Sequence, residues 1–254
     1  MEKMNESTAK QLSQINDTFY RRFGREFAET RRRIQPGVGR VLDEVVRSGD
    51  WLDLGCGSGT LGCVWGEKGF TGLYEGLDLS PVLIAEACKV TAAVKHAPEL
   101  RLVYGEADLG QPGWTKACSQ IAYDGVLMFA AMHHIPAYAR RLALVQEIAK
   151  LLKPGGIFVH SEWQFQRSTK LMTHVVPWDQ AGINEVELEE GDTLLDWRHT
   201  SPERPGETGL RYVHLFSGDE LSRLAAESGF KIVSEFDSDG ASGNLSLYQV
   251  WQRS

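Results

Sequence analysis

Alternating glycines directly after a short apolar segment are the first feature of the chain that suggests chemistry. The run 53–60 reads Asp-Leu-Gly-Cys-Gly-Ser-Gly-Thr and follows what we interpret as the end of a buried strand. Glycines at such a turn let the backbone bend tightly and approach a ligand without interference from a Cβ atom. A carboxylate before the first glycine suits a cofactor with an ammonium group better than one with a pyrophosphate. The run therefore predicts a site for S-adenosylmethionine rather than NAD, with contacts from Asp53, Gly55, Cys56, Gly57 and Gly59.

Acidic residues also follow the next two predicted strands. Asp78 ends the second strand, and Asp108 follows the third. A carboxylate at the first place can accept hydrogen bonds from both hydroxyls of a ribose. One at the second place can accept a hydrogen bond from the amino group of an adenine, while Ala107 and Leu109 enclose the ring. The remaining predicted cofactor contacts are Leu79 and Phe129.

Two adjacent histidines, His133 and His134, follow the fourth predicted strand. This position faces the reacting end of a ligand bound by the loops before it. Histidine titrates near neutral pH, so one of the two could act as a general base for a phenol, alcohol or amine. The alternative is that each histidine bonds to the backbone and shapes the pocket. The sequence leaves both interpretations open.

Strands and helices alternate over most of the chain, which indicates an α/β fold with a parallel sheet. Segment 1–48 is predicted to form helices, and 49–254 the main domain. The stretch 163–212 breaks the alternation, and we interpret it as an insertion over the carboxyl ends of the strands, where such sheets bind ligands. The apolar runs 231–236 and 245–251 predict a closing antiparallel pair. The other predicted strands are 51–54, 72–77, 101–106, 121–129 and 157–160.

In the order of these loops, the chain resembles the class I S-adenosylmethionine-dependent methyltransferases. The similarity covers roughly residues 40 to 160 and the closing strands. It implies a Rossmann-like seven-stranded sheet whose last strand is antiparallel, with S-adenosylmethionine as cofactor and S-adenosylhomocysteine as product. It also implies that the glycine loop faces the methionine part, Asp78 the ribose and Asp108 the adenine.

Two segments outside this core carry a narrower resemblance. Residues 23–38 and 210–221, together with the His-His-Ile triplet that begins at His133, are similar to the eukaryotic tRNA wobble-uridine carboxymethyl methyltransferases. That family methylates the carboxylate of a modified uridine, usually with a small zinc-binding partner protein. The resemblance places Arg31 beside the site as a cation that positions the acceptor; the alternative is a solvated basic turn. Weaker candidates for acceptor contacts are Glu162, Trp163 and His214.

The charge of the chain bears on its acceptor. It has 27 basic and 34 acidic residues, a net charge of −7, which argues against broad non-specific binding to nucleic acid. The glutamate-rich run 185–190 would repel a phosphate backbone. The acceptor therefore stays open between a modified tRNA uridine and a small molecule.

The cysteines and the apolar segments limit the classes of protein to which the chain can belong. The four cysteines lack metal-ligand spacing, which predicts reduced thiols, no metal site and a cytoplasmic setting. We expect no signal peptide and no membrane span, since no apolar run approaches about 18 residues. Two rival functions remain. A dinucleotide-dependent oxidoreductase would need a Gly-x-Gly-x-x-Gly loop, and a non-catalytic partner subunit would have no need of the intact set of loop residues.

Overall fold

The main body of the protein is a seven-stranded sheet. The computed structural model describes residues 4–29, 33–198 and 207–254. Its strands are β1 (Gly49–Leu54), β2 (Gly72–Asp78), β3 (Leu100–Glu106), β4 (Tyr123–Phe129), β5 (Leu152–Trp163), β6 (Asp192–Arg198), β7 (Thr208–His214), β8 (Phe230–Ser238) and β9 (Ser246–Arg253). The order in the main sheet is β3-β2-β1-β4-β5-β9-β8. The first five strands pair in parallel, and β9 runs antiparallel to both β5 and β8, so the predicted topology is confirmed.

Helices cover both faces of this sheet. The helices are α1 (Glu6–Glu29), α2 (Pro36–Glu44), α3 (Thr60–Glu67), α4 (Pro81–Ala92), α5 (Tyr138–Leu151), α6 (Thr169–Met172) and α7 (Gly218–Glu227). On one face, α2 and α3 bury Val41 and Trp65 against the sheet. On the other face, α5 and α7 bury Val145 and Leu224. The apolar residues of the strands are thus covered from both sides, as a parallel sheet requires.

Local signals in the sequence set several helix starts. Ser80 precedes Pro81, and its hydroxyl accepts a hydrogen bond from the Leu83 N–H at 3.4 Å. Ser217 accepts from the Glu220 N–H at 3.1 Å, as the capping pattern predicts. Such caps satisfy N–H groups that have no partner inside the helix.

The fifth strand is longer than the 157–160 predicted. It begins at Leu152, which pairs with Tyr123, and the register shifts before Ile157 pairs with Gly125. The backbone is already extended at Leu152, where α5 ends. The run Pro-Gly-Gly at 154–156 therefore lies in an irregular part of the strand. This correction lengthens the strand whose carboxyl end supplies residues to the site.

The stretch after β5 forms a small unit of its own. Strands β6 and β7 make a two-stranded antiparallel sheet, and helix α1 packs against β7. Asn16 of α1 accepts from the Tyr212 N–H at 2.9 Å and donates to the Tyr212 carbonyl at 3.0 Å. Its side chain therefore takes the place of a neighbouring strand on β7. None of the described helices has the length and apolar character to cross a membrane.

Candidate functional site

The glycine loop joins β1 to α3 at the carboxyl edge of the sheet. Gly55, Gly57 and Gly59 have φ angles of +80°, +56° and +79°, a conformation that favours glycine. A Cβ atom on Gly55 would lie 2.8 Å from the Cβ of Ala131, whereas one on Gly57 would meet nothing within 4 Å. The middle of the loop therefore faces open space that a ligand can enter, and its flanks are fixed by packing.

Asp53 lies beneath this loop, and only 3% of it is exposed. Its carboxylate accepts a hydrogen bond from the Tyr74 hydroxyl. Burial raises the pKa of Asp53 to about 7, although the bond from Tyr74 opposes the rise. The prediction that Asp53 meets the ligand is therefore not supported by its position, because the side chain of this strand residue points into the core and supports the loop.

Cys56 is also buried, against Gly76 of β2. A Cβ atom on Gly76 would come within 2.8 Å of the Cys56 sulfur, so the two strand ends fit closely here. Burial raises the pKa of the Cys56 thiol, which keeps it protonated. The side chain of Cys56 therefore packs under the loop, and only its backbone is placed to meet a ligand.

Asp78 connects the first loop to the second. One carboxylate oxygen accepts from the Gly57 N–H at 2.9 Å, and the other accepts from the Ser80 N–H at 2.9 Å. Burial raises the pKa of this group, and the two N–H groups oppose the rise. Asp78 therefore lies next to the open part of the glycine loop, with Leu79 half-buried beside it.

The third and fourth loops complete this side of the site. Asp108 is exposed and accepts from the Gly110 N–H at 2.9 Å. Ala107 is buried in the core, and Leu109 packs against the same core. Phe129 is half-buried at the end of β4, with its ring centre 6.0 Å from that of Tyr248. The predicted cofactor residues thus lie along one edge of four neighbouring strands.

His134 has both ring nitrogens within hydrogen-bond distance of fixed partners. Nδ1 lies 3.1 Å from the Tyr212 carbonyl oxygen, and Nε2 lies 2.8 Å from the Tyr20 hydroxyl. Because a carbonyl only accepts, we assign the proton to Nδ1, and Nε2 then accepts from Tyr20. His134 therefore holds Tyr20 of α1 in place, which favours its shaping role over that of a base.

His133 is buried between two polar neighbours and a ring. Its Nδ1 lies 3.5 Å from the Glu162 carboxylate. The centre of its ring is 4.4 Å from that of His134 and 6.3 Å from that of Trp163. Trp163 itself is half-buried at the end of β5. Two residues that the sequence placed on the acceptor side, His133 and Trp163, are thus close together.

Glu162 and His214, which the sequence analysis proposed as acceptor contacts, are both enclosed by the protein. Glu162 is 0% exposed, since alternate residues of β5 face the core and it lies on the same face as Phe158. His214 is 1% exposed, with Nδ1 2.8 Å from Asp192 and Nε2 2.8 Å from Glu220. Burial lowers the pKa of His214, but the bonds to both carboxylates outweigh it and raise the pKa overall.

Arg211 of β7 lies near Trp163, and the sequence analysis did not single it out. It is 5% exposed. Its guanidinium carbon lies 5.1 Å from the ring centre of Phe19 and 5.6 Å from that of Trp163. The 210–221 resemblance marks the segment, but only the packing of α1 against β7 shows which side chain is enclosed by the rings. Arg31 lies outside the described residues.

An open groove continues from this region along α1. It has a volume of about 500 Å³ and lies between α1, β7 and the turn at 181–183. Phe19 and Phe23 line it from the helix, and Leu210 lines it from the strand. The groove therefore gives the acceptor side of the site room beyond the enclosed rings.

A buried ion network ties the insertion to the main body. Arg141 of α5 donates to Glu189 at 2.6 Å and to Glu220 at 2.9 Å. Glu187 accepts from Asn5 at 3.1 Å. Glu189 of the run 185–190 is therefore paired with a buried cation, whereas Glu185, Glu187 and Glu190 are exposed, so most of the predicted repulsion of a phosphate backbone stays.

A group of possible metal ligands lies in the same network. Ligand atoms of Glu189, Asp192 and His214 lie within 4.8 Å of one another. Each already has hydrogen-bond partners: the Glu189 carboxylate accepts from Arg141, and Asp192 accepts from Tyr212 at 2.8 Å. We therefore interpret the group as part of the ion network.

Comparison of the sequence with known proteins agrees with the fold. The methyltransferase domain family matches residues 25–235. A protein of Encephalitozoon cuniculi described as a methyltransferase is 29% identical over 236 residues, 92% of this chain and 93% of that protein. The tRNA (carboxymethyluridine(34)-5-O)-methyltransferase of Arabidopsis thaliana is 26% identical over 165 residues, 63% of this chain but 35% of that protein. The chain thus spans about a third of the Arabidopsis relative's length.

Solved structures share the same architecture. A S-adenosylmethionine-dependent methyltransferase from Methanosarcina mazei superposes with a TM-score of 0.63 at 21% identity, over 87% of this chain and 98% of that one. A glycopeptide N-methyltransferase with bound S-adenosylmethionine gives a TM-score of 0.59 at 19% identity, over 86% of each chain. At such identities the structures support the fold, and the family match covers most of the sequence. This chain belongs to the methyltransferase domain family and is a S-adenosylmethionine-dependent methyltransferase.

Proposed function

We propose that this enzyme methylates a carboxylate, and that the carboxylate of a modified tRNA uridine is its first candidate acceptor. The observation that carries the proposal is Arg211, a buried cation between two aromatic rings at the acceptor side. An arginine held in this way can bind a carboxylate through two parallel hydrogen bonds. The name of the Arabidopsis relative, a carboxymethyluridine methyltransferase, supports the same acceptor class.

Residues on the other side of the site fit the cofactor. We assign the backbone of the glycine loop to the methionine part, since Gly57 faces open space. Asp78 would accept from the ribose hydroxyls and Asp108 from the adenine amino group, with Ala107 and Leu109 beside the ring. When bound, S-adenosylmethionine supplies an electrophilic methyl group.

A carboxylate acceptor does not require this site to remove a proton. Carboxylates are ionised near neutral pH, so the nucleophile needs no general base. The task of the chain is to align the acceptor oxygen and to exclude water. Arg211 would orient the carboxylate, and Tyr20, held by His134, would close the site from α1. Arg31 remains a proposed second cation.

A small molecule with a hydroxyl or amine acceptor is the alternative. The contact between His133 and the Glu162 carboxylate favours it, because a carboxylate partner makes a histidine a better base. A flat pH–rate profile from about pH 6 to 9 would exclude an essential histidine base.

Two further expectations follow if the acceptor is a tRNA. We propose a cytoplasmic enzyme that works with a small partner protein, as in the family it resembles. The acidic net charge of −7 fits a shared RNA-binding surface better than one formed by this chain alone.

The test is methyl transfer from radiolabelled S-adenosylmethionine to two acceptors. One is tRNA that contains 5-carboxymethyluridine, with and without a candidate partner protein, and the other is a set of small carboxylates and phenols. We expect Arg211→Met to lower transfer to a carboxylate by about 10- to 100-fold, the worth of a charged hydrogen bond. The thermal shift with S-adenosylhomocysteine should stay at the wild-type value.

A surface arginine provides the matched control. Arg167 pairs with Asp237 at 2.7 Å on the outside of the protein, so Arg167→Met should leave transfer unchanged. Transfer only to phenols or amines, with Arg211→Met fully active, would contradict the carboxylate proposal and favour the alternative.

A further inference from the structure

The segment 130–137 joins β4 to α5, and we call it the β4–α5 loop. It begins and ends with an alanine in a backbone conformation that favours glycine. Ala130 has a φ angle of +51°, and Ala137 has a φ angle of +68° with a ψ angle of +126°. A residue with a Cβ atom adopts such angles only where its surroundings hold it there, and such residues are concentrated at functional sites. The conformation of the loop therefore depends on the groups that hold its two ends.

The β4–α5 loop contacts both the glycine loop and the insertion. On one side, a Cβ atom on Gly55 would lie 2.8 Å from the Cβ of Ala131, so the two loops are closely packed. On the other side, Nδ1 of His134 lies 3.1 Å from the carbonyl oxygen of Tyr212, the residue next to Arg211 on β7. A displacement of the β4–α5 loop would therefore change the packing of the glycine loop and of β7 together.

The amino end of the β4–α5 loop is held by the main sheet. The Ala130 nitrogen lies 3.1 Å from the carbonyl oxygen of Ser161 and 3.0 Å from its hydroxyl oxygen. Ser161 is on β5, opposite Phe129 at the end of β4. Both acceptors therefore come from a neighbouring strand of the same sheet and not from the insertion.

The carboxyl end of the loop is held by Glu189, which belongs to the insertion. Ala137 directly precedes α5, and its methyl group cannot accept from the first N–H groups of the helix. The Glu189 carboxylate takes that place, with each oxygen 2.9 Å from the Tyr138 nitrogen. A carboxylate is favoured there because the amino end of a helix is electropositive. A residue of the insertion therefore caps the helix that follows the strained end of the loop.

Glu189 also reaches the loop through Arg141 of α5. Its carboxylate accepts from Nη2 of Arg141 at 2.6 Å, and Nη1 of Arg141 donates to the Ile135 carbonyl at 3.1 Å. The side chain of Glu189 is only 7% exposed, so water competes little for these bonds. The bonds to Tyr138 and Arg141 therefore fix the backbone on both sides of Ala137.

We infer that Glu189 is a positioning residue, which holds the β4–α5 loop in its strained conformation and so couples the insertion to the glycine loop. This inference rests on the assignment of the glycine loop to the cofactor in the proposed function, and it does not depend on which acceptor is methylated. It gives the buried ion network a role in the reaction. Loss of the Glu189 charge should weaken cofactor binding and slow methyl transfer, although Glu189 lies in the insertion.

Hydrogen exchange of the wild-type protein tests this coupling without any variant. Coupling between two sites is reciprocal, so a ligand at the glycine loop should stabilise the contact at Glu189. We expect saturating S-adenosylhomocysteine to slow exchange of the Tyr138 amide by about fivefold or more. Protection of the Gly57 amide with unchanged exchange at Tyr138 would overturn the inference. Unchanged exchange at both amides would refute the assignment of the glycine loop, and the inference with it.

Glu189→Gln removes the charge at nearly constant size. The variant keeps an oxygen for the Tyr138 N–H but has no charge for Arg141. We expect its Kd for S-adenosylhomocysteine, measured by calorimetry, to rise about five- to tenfold, the low end of coupling between separate sites. Glu187→Gln is the control, because Glu187 is in the same run but accepts from Asn5, outside the loop. A wild-type Kd in folded Glu189→Gln would contradict the positioning role.

The two strained alanines give a rescue experiment that separates positioning from a general loss of stability. Glycine adopts the angles of Ala137 without strain, so adding Ala137→Gly should return the Kd of Glu189→Gln to within about twofold of the wild-type value. Adding Ala130→Gly instead relieves strain at the end that Ser161 holds, and it should not restore the Kd. Equal values for the two double variants would refute the role of Glu189 at the carboxyl end of the loop.

Transfer assays with the best acceptor found for the wild-type enzyme give the last measurement. At saturating S-adenosylmethionine, Glu189→Gln should lower kcat by about tenfold, since small displacements of site groups are costly. Adding Ala137→Gly should recover most of this loss. A higher KM for the acceptor alone, with kcat and the Kd for S-adenosylhomocysteine unchanged, would confine Glu189 to the acceptor side and overturn the coupling.

Discussion

The proposed cofactor side and the proposed acceptor side of this site are built in different ways. On the proposed cofactor side, the predicted residues lie at or just after the ends of the parallel strands, and backbone N–H groups hold the carboxylates of Asp78 and Asp108. On the acceptor side, residues arrive from α1, the end of β5 and the β6–β7 pair. They are held by side chains from distant parts of the chain, such as Asn16 on Tyr212 and Arg141 on Glu189.

This difference shows where variation is tolerated. A loop held by its own backbone depends on a few residue types, so a short motif describes it. A surface held by buried charges depends on matched partners, and the loss of one leaves the others uncompensated. The acceptor side should therefore be more sensitive to single changes in its supports, and the cofactor side to changes in its contacts.

The largest effect should come from Arg141→Met. This change leaves Glu189 and Glu220 without their buried cation, and we expect a loss of about 3 to 5 kcal/mol in unfolding free energy. Urea unfolding measures it. Adding Glu189→Gln and Glu220→Gln should restore part of the loss, because the buried negative charges are then removed.

The neighbouring arginine gives a control on the same helix. Arg140 bonds to Ser13 at 3.2 Å and pairs with Glu6, which is largely exposed. Arg140→Met should therefore cost no more than about 1 kcal/mol. Equal losses of unfolding free energy in Arg141→Met and Arg140→Met would contradict the proposal that buried charges stabilise the acceptor side.

The next effect concerns Asp53 and the pH dependence of stability. Its pKa in the folded protein is about 7, above the ordinary 3.8. A raised carboxyl pKa contributes stability that is complete below about pH 4 and is lost as the pH rises through 7, up to about 4 kcal/mol. Asp53→Asn should remove this loss, so its stability relative to wild type should grow from pH 5 to pH 8.

Two measurements separate support of the loop from ligand contact at Asp53. The free energy of unfolding of Asp53→Asn at pH 5 and pH 8 reports on support of the loop. Asp50→Asn is the control, because Asp50 lies on the same strand and is partly exposed. The thermal shift with S-adenosylhomocysteine reports on ligand contact. A variant that keeps the wild-type pH dependence but loses the ligand shift would restore the prediction that Asp53 binds the ammonium group.

The smallest of the three effects should be that of Asp78→Ala on cofactor binding. At a hundredfold excess over its dissociation constant, S-adenosylhomocysteine should stabilise the wild-type protein by about 2.7 kcal/mol. We expect most of this gain to disappear in the variant because the ribose loses its acceptor. Asp237→Ala, a change at a surface ion pair, should keep the full gain. An undiminished shift in Asp78→Ala would contradict the assignment of the cofactor side.

The sequence predicted the fold well because its signals are local. The order of strands, the three glycines with positive φ and the acid at the end of β2 all follow from short segments. It did not show that Glu162 and His214 are enclosed, since their residue types suit a site as well as a buried network. Which of the two applies depends on the faces of β5 and β7, and the sequence pattern did not resolve those faces there.

The amino-acid sequence by itself determined the fold class, the methyltransferase family and the order of the loops that follow the strands, because alternating strands and glycine turns depend on neighbouring residues. The tertiary structure decided which side chains surround the proposed acceptor side. Arg211 is enclosed only because α1 packs against β7 and brings Phe19 over it. His133 has a carboxyl partner only because β4 and β5 end side by side. Such contacts join residues far apart in the chain, and packing alone brings them together.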